Sequence, residues 1–332
     1  MIGAVAVESS PTLGAASPRR LAAALRGNGL WLDVGLVTMR VRSNVPALAE
    51  QLHRVYRNFP LRTNESWADL HLELERARGW RGRVRPQVRF GCDGQSPFEP
   101  FPADSPLPLL EWGANWLIGR RMNHVLLLHA GVLERDGLAL VMPAIPGSGK
   151  STLTSALSLH GWRLLSDEFG AFEPERAVFL PVLKPAALKN ASIDILRQLA
   201  PDAQIGPSFP KTRKGTVAHL SPSADAVAGV HRPALPGAIV LPKWQEGSAT
   251  RFDPVTPSEV FAELAFNAFN YNLLGRPGFQ SVVLLSRLCP AWRLTYSRLD
   301  EAMPLLEQAW PEVVAGHANR RAEAEAAALH DL

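Results

Sequence analysis

Cysteine is scarce: Cys92 and Cys289 are the only two in 332 residues. That excludes a disulfide framework, and the pair has no metal-ligand spacing. Both read as structural thiols, and a reducing cytoplasm is the expected compartment. Long apolar runs are missing as well, so no membrane-spanning helix of about 18 apolar residues is expected. The N-terminal stretch MIGAVAVESS has no early basic residue, and Glu8 interrupts its apolar run, so a secretory signal is not expected. Neither sign of charge dominates: 35 Lys and Arg against 31 Asp and Glu leave a net charge of +4. The basic residues form only short clusters (Arg76–Arg85, Lys211–Lys214), which argues against a nucleic-acid surface and for a solvated basic face. Internal repeats are absent, and no local Ser-His-Asp or Cys-His motif is seen.

With 46% hydrophobic and 20% charged residues, the chain has the composition of a globular protein of one large or two modest domains. Residues 1–27 are expected as a disordered leader, small and Ser- and Pro-containing, with at most a short helix capped by Ser17. Residues 28–103 read as a small α+β domain. Its signals are a strand with a Gly break at 30–41, a helix carrying Leu48, Leu52 and Tyr56, and an alternating strand around Leu70, Leu72 and Leu74. An Asp-Gly turn at 93–94 follows. The Pro-rich 99–108 reads as a linker. Residues 104–312 form the main domain, and the Ala- and Glu-rich 313–332 a tail, either a lone helix or disordered.

The chemistry lies in the main domain. HVLLLHAGVLERDGLALVM reads as two strands joined at Asp136-Gly137, the second running into AIPGSGKS (144–151) and then a helix to about Leu159. This is nearly the phosphate-loop pattern, in its required strand–loop–helix setting. Pro146, Gly147, Ser148, Gly149, Lys150, Ser151 and Thr152 are the expected nucleotide-binding residues. The glycines let backbone N–H groups turn inward as a nest for phosphate oxygens. Lys150 reaches the terminal phosphates, the Ser151 hydroxyl suits Mg²⁺, and the helix N-terminus favours the anion. Ala144 stands where the strict pattern has glycine; at negative φ it costs little. The strand WRLLSDEF ends in Asp167 and Glu168, where magnesium-nucleotide chemistry needs a carboxylate. Adjacent residues at a strand end point to opposite sides, so one can serve the metal and the other an acceptor hydroxyl. His129, at the end of an apolar run, is a third candidate. The basic, proline-rich 179–190, with Lys184 and Lys189, lies near the phosphates or forms a surface loop. Asn267, Asn270 and Asn272 read as caps or substrate contacts, and Trp162, Trp244 and Trp292 as core.

Segment 129–170 resembles the catalytic core of HPr kinase/phosphorylase, a bacterial serine kinase with a phosphate loop. That family has a His opening the strand pair, the loop lysine 21 residues on, and an acid pair 17 further; His129, Lys150 and Asp167-Glu168 keep both spacings. HGWRLLSDEF is similar to the family's GHRLVADD stretch. Over about residues 30–310 the chain resembles the HPr-kinase-related proteins of the A type, through PQVRFGCDG, EWGANW, LLHAGVLER, GSGKSTL, GWRLLSDE, LKNASI and KGTVAHL. The resemblance implies an α/β phosphate-loop kinase core, a mixed central sheet flanked by helices, using ATP and Mg²⁺. Lys150 and Ser151 would hold phosphate and Mg²⁺, Asp167 would take the proton from the acceptor hydroxyl, and Glu168 would help the metal. His129 would sit near the phosphates, with Lys214 and His219 as weaker candidates for phosphate or metal contacts. The acceptor would be a Ser/Thr-type hydroxyl on a small protein or peptide, in the A group one tied to peptide-modification pathways. A homo-oligomer is suggested by the family's hexamers. Glu168 for the family's second Asp, Ala144 for the first loop Gly, and a different N-terminal domain depart from the pattern and weigh against HPr as substrate. Three other readings stay open: a small-molecule kinase, a nucleotide-sensing module without transfer, and an uncoupled ATPase.

Overall fold

A computed structural model describes residues 11–77, 85–212 and 214–330. The first ten residues of the expected leader, most of the Arg76–Arg85 cluster, Arg213 and the last two residues of the tail lie outside it. The chain divides into two units, Met1–Asp33 with Val37–Ala114, and Val34–Leu36 with Asn115–Leu332.

The first unit begins with helix α1 (Pro18–Arg26). Ser17 accepts from the Arg20 N–H, and Pro18 fills the first turn, where its missing N–H costs nothing. Leu21 and Leu25, one turn apart, are buried, as is Leu13. The expectation of a structureless leader is therefore corrected from residue 11 onward. Small residues hid an apolar face that burial, at about 25 cal/mol per Å², holds in place. Strands β1 (Leu30–Asp33) and β2 (Thr38–Ser43) pair antiparallel. Helix α2 (Pro46–Val55) then crosses over to β3 (Leu70–Arg76), which runs parallel to β2. Leu70, Leu72 and Leu74 all face the core. Strands β4 (Gln87–Gly91) and β5 (Phe101–Pro102) complete a five-stranded sheet in the order β1-β2-β3-β4-β5. Asp93 and Gly94 both adopt positive φ, 47° and 75°, as the Asp-Gly turn requires. The stretch expected as a linker at 99–108 is β5 plus the start of helix α3 (Pro106–Arg121). Proline is tolerated in a first helical turn, and the Gln51 side chain accepts from the Leu107 N–H, so the prolines open a helix here. The unit thus extends to Ala114 rather than 103.

The second unit is mixed α/β. Strands β6 (Leu126–Arg135) and β7 (Leu138–Pro143) form a hairpin about Asp136 and Gly137, at φ 56° and 78°. Helix α4 (Lys150–Leu159) follows, then β8 (Arg163–Ser166), β9 (Phe169–Glu173) and β10 (Val178–Leu180). Next come β11 (Ala186–Lys189), helix α5 (Ala191–Leu199), β12 (Phe209–Thr212), β13 (Gly215–Leu220) and helix α6 (Ala224–Ala228). Strands β14 (Leu235–Trp244) and β15 (Arg251–Pro254) lead to helices α7 (Pro257–Phe266), α8 (Tyr271–Leu274) and α9 (Arg276–Leu288). The chain closes with β16 (Ala291–Tyr296) and helix α10 (Leu299–His330). The central sheet has the order β10-β9-β6-β7-β14-β16-β15, with β8 also on β6; β11, β13 and β12 form a separate small sheet. Its core joins Leu128, Val141 and Ile239 of the sheet to Leu264 of α7 and Val282 of α9. A capping box, Thr256 with Glu259, starts α7.

The C-terminal boundary is corrected too. Helix α10 runs through the expected break at 312–313, because Val313 continues the buried stripe of Leu306 and Trp310. Trp310 packs edge-on against buried Trp162 at 4.5 Å. Trp244, expected in the core, is 45% exposed. Trp292 is half-buried and stacks on Phe252. Among the described residues, no helix is long and apolar enough to cross a membrane.

Candidate functional site

Strands β14 and β16 run parallel to one another, and β14 runs parallel to β7. Their C-terminal ends therefore fall on the side where β7 delivers the glycine-rich loop, the usual place for ligands in such sheets. Residues 144–149 leave the strand, turn through a Ser148 N–H bond to the Ile145 carbonyl (3.3 Å), and enter α4 at Lys150. Gly147 and Gly149 adopt φ 91° and 85°, backbone that side chains resist. Ala144 is not among the positive-φ residues and is buried at the strand end, so it fits there without strain. Ile145, Pro146 and Gly147 are exposed, Ser148, Gly149, Ser151 and Thr152 half-buried, and Lys150 buried.

Two residues that sequence reasoning passed over hold this loop. The Trp244 N–H, at the end of β14, donates to the Ser148 carbonyl at 2.8 Å, and the Tyr296 hydroxyl, at the end of β16, donates to the Gly149 carbonyl at 3.1 Å. Their signal was positional: both follow apolar strands parallel to the loop strand. A methyl group on Gly149 would stand 2.4 Å from the Tyr296 hydroxyl and 2.8 Å from the Trp244 Cβ, whereas at Gly147 it would meet open space. Gly147→Ala is expected to destabilise by about 1–2 kcal/mol, the cost of left-handed backbone alone. Gly149→Ala should cost clearly more, because the clamp must also open; paired denaturant melts check the order.

The two carboxylates have different partners. Asp167 is buried. Its Oδ1 lies 3.5 Å from the Lys150 Nζ, and the same ammonium donates to its backbone carbonyl. The Ser151 hydroxyl, one residue on from Lys150, also acts to lower the Asp167 carboxyl. Burial pushes the Asp167 carboxyl above its ordinary range, against the downward pull of Lys150. Glu168 is one-third exposed and its Oε1 lies 3.9 Å from the His129 Nε2. Burial acts to raise the Glu168 carboxyl, but Lys150, His129, Lys184 and Lys214 outweigh it and hold it below its ordinary value. Burial and the Lys150 charge lower His129, which leaves its imidazole neutral near neutral pH.

His129 is fixed by its backbone: its N–H donates to the Asn267 carbonyl at 2.7 Å and its carbonyl accepts from Ala144 at 3.3 Å. Asn267 closes α7 through its side chain to the Glu263 carbonyl, and buried Asn270 bonds the Leu127 N–H and the Val125 carbonyl. These two asparagines are structural, and Asn272 is exposed. The structure thus brings together Lys150, Ser151, Asp167, Glu168 and His129, with Lys184, Lys189 and Lys214 in electrostatic reach. His219 is buried in the small sheet, its ring 6.4 Å from Phe209.

Among the described residues no group of three or more His, Cys, Asp or Glu could hold a metal. The donors present, the Ser151 hydroxyl beside a carboxylate whose Oδ1 has no hydrogen-bond partner, do suit Mg²⁺. That ion keeps several waters and takes one or two carboxylates plus phosphate oxygens. No protein-family model matches this chain, and no curated protein matches it.

Proposed function

We propose that the chain is an ATP-dependent kinase of the HPr-kinase type, working in the cytoplasm on a Ser/Thr-type hydroxyl of a small protein or peptide. The observation that supports this best is one lysine, Lys150, at the first turn of α4 and ion-paired with a buried carboxylate whose protonation burial favours. A carboxylate at the loop lysine is the partner that magnesium-nucleotide chemistry needs.

In the proposed reaction the N–H nest of 147–151 and Lys150 bind the β- and γ-phosphates. Ser151 and Glu168 would hold Mg²⁺, which supplies charge neutralisation on the phosphate oxygens. The acceptor hydroxyl oxygen bonds to the γ-phosphorus, the bond to the β,γ-bridging oxygen breaks, and ADP leaves with that electron pair. The hydroxyl proton passes to Asp167. A carboxyl pushed up by burial takes a proton more readily than an ordinary aspartate, whereas Glu168, held low, keeps the charge a cation needs. One observation favours the opposite division. The Ser151 hydroxyl acts on Asp167, the pairing that binds Mg²⁺ in many phosphate-loop enzymes, and Glu168 is the more open carboxylate.

The test is calorimetric titration of ATP with Mg²⁺, followed by incubation with γ-labelled ATP and candidate peptides, proteins and metabolites. Label on a peptide or protein hydroxyl is the expected result. Label on a metabolite alone would move the reading to a small-molecule kinase. Free phosphate without an acceptor would indicate an ATPase, and tight binding without turnover a sensing module. Absence of nucleotide binding would overturn all of these.

A further inference from the structure

The turn after β11 is strained. Asn190 holds φ 51° and ψ −125°, a conformation that non-glycine residues rarely adopt and that persists only where the surroundings enforce it. The enforcement is visible. The Asn190 N–H donates to the Thr216 carbonyl (2.9 Å), and its side-chain Oδ1 accepts from the Thr216 N–H (3.1 Å). Gly215, at φ 83°, comes so close that a methyl group there would stand 2.5 Å from the Asn190 Oδ1. The Lys189 N–H is tied in turn to the Ser192 Oγ at 2.8 Å, and that hydroxyl donates back to the Lys189 carbonyl at 2.6 Å. Two lysines flank this lock: Lys189 on one strand of the small sheet and Lys214 just before Gly215 on the other.

The lock stands beside the phosphate loop, because β11 packs against α4, the helix that Lys150 opens. Strand alternation buries Leu188 and turns Lys189 to the opposite face, where it is half-buried. There its ammonium is within electrostatic reach of Glu168, Asp167, Lys150 and Lys214, and burial, then Lys214, lowers it from its ordinary value. Lys184, buried and bonded to Asn115, acts on Glu168 as well. Four lysines thus face two carboxylates. Lys150 and Lys184 are buried and Lys189 is half-buried, and such a surplus of desolvated positive charge is unfavourable until an anion arrives.

We propose that Lys189, positioned by the strained Asn190 turn and seconded by Lys214, binds the terminal phosphoryl group together with Lys150. It would discriminate ATP from ADP and stabilise the group in transfer. This rests on the kinase reading above and assigns the γ-phosphate a second cationic contact. Lys150 belongs to the loop that grips either nucleotide; Lys189 reaches what only ATP carries.

The test is titration of native protein and variants with ATP and ADP, each with Mg²⁺. In Lys189→Ala the ratio of ATP to ADP affinity is expected to fall about tenfold or more, as for loss of a charge-assisted contact, while ADP affinity changes less than twofold. Lys189→Arg should keep the native ratio, and exposed Lys214→Ala should lower it less. Lys189→Gln keeps the buried stem, so it serves if the alanine variant fails to fold. A purely structural role for Lys189 would weaken both nucleotides together, and that result, or an unchanged ratio, overturns the proposal while leaving the kinase reading intact. If the native protein binds neither nucleotide, the kinase reading fails, and this proposal with it.

Discussion

Asp167→Asn is expected to lower phosphoryl transfer by about 10²–10⁴-fold, the usual contribution of a positioned proton acceptor. The amide cannot take the hydroxyl proton, yet it matches the carboxylate in shape. The backbone carbonyl of residue 167, which already accepts from Lys150, is unchanged by the substitution. Nucleotide affinity should therefore survive, and the comparison is between labelled transfer and calorimetric ATP binding in one variant. Undiminished transfer would remove Asp167 from the role. Magnesium dependence separates the two divisions of labour. If Asp167 is the proton acceptor, the Mg²⁺ concentration for half-maximal ATP binding stays put in Asp167→Asn and rises in Glu168→Gln. If Asp167 holds the cation, the pattern is reversed. The pH profile reports on Asp167 in either role. Because burial raises the Asp167 carboxyl, transfer should fall on acidification at a higher pH than an ordinary aspartate would impose, with full activity on the alkaline side.

Lys150→Met should strike both binding and stability. Methionine keeps the apolar stem but removes the ammonium, and Asp167 is left buried without its nearest cation. Breaking a buried pair from one side costs on the order of 3–5 kcal/mol, since the remaining charge is uncompensated. Nucleotide binding should become undetectable in the same titration. The double variant Lys150→Met with Asp167→Asn removes the orphaned charge and should recover part of the lost stability while remaining inactive. If the single variant melts like the native protein, the pair is not the buried, strongly coupled contact described here.

The local parts of this site were legible in the sequence, and the long-range parts were not. The loop from Pro146 to Thr152, the Asp136-Gly137 hairpin and the helix after Lys150 depend on neighbours a few residues away, and glycine, proline and apolar periodicity report them directly. Trp244 looked like core because an apolar strand precedes it. It is half-exposed because the strand ends at the loop, which only strand order reveals. The leader was misread for a related reason: its small, Ser- and Pro-containing composition suggested disorder, whereas Leu21 and Leu25 lie on a helix that packs against β2 and α2. Lys189 and Lys214 are 25 residues apart in sequence. Nothing local says that one strained asparagine and one glycine set them side by side. The division of roles between Asp167 and Glu168 was equally hidden, since adjacent letters do not show which side chain turns inward.

The bonds from Trp244 and Tyr296 to the loop carbonyls have a consequence for how the protein meets its ligand. A glycine-rich segment free in solution would have to surrender much backbone freedom on closing around phosphate, and affinity would be reduced accordingly. Here Ser148 and Gly149 are already fastened to the ends of two strands. That ordering occurs during folding, so a nucleotide bound as proposed would meet a receptor already in shape. The rigidity of the central sheet would thus become part of the proposed binding affinity, although the sheet itself need not touch the nucleotide.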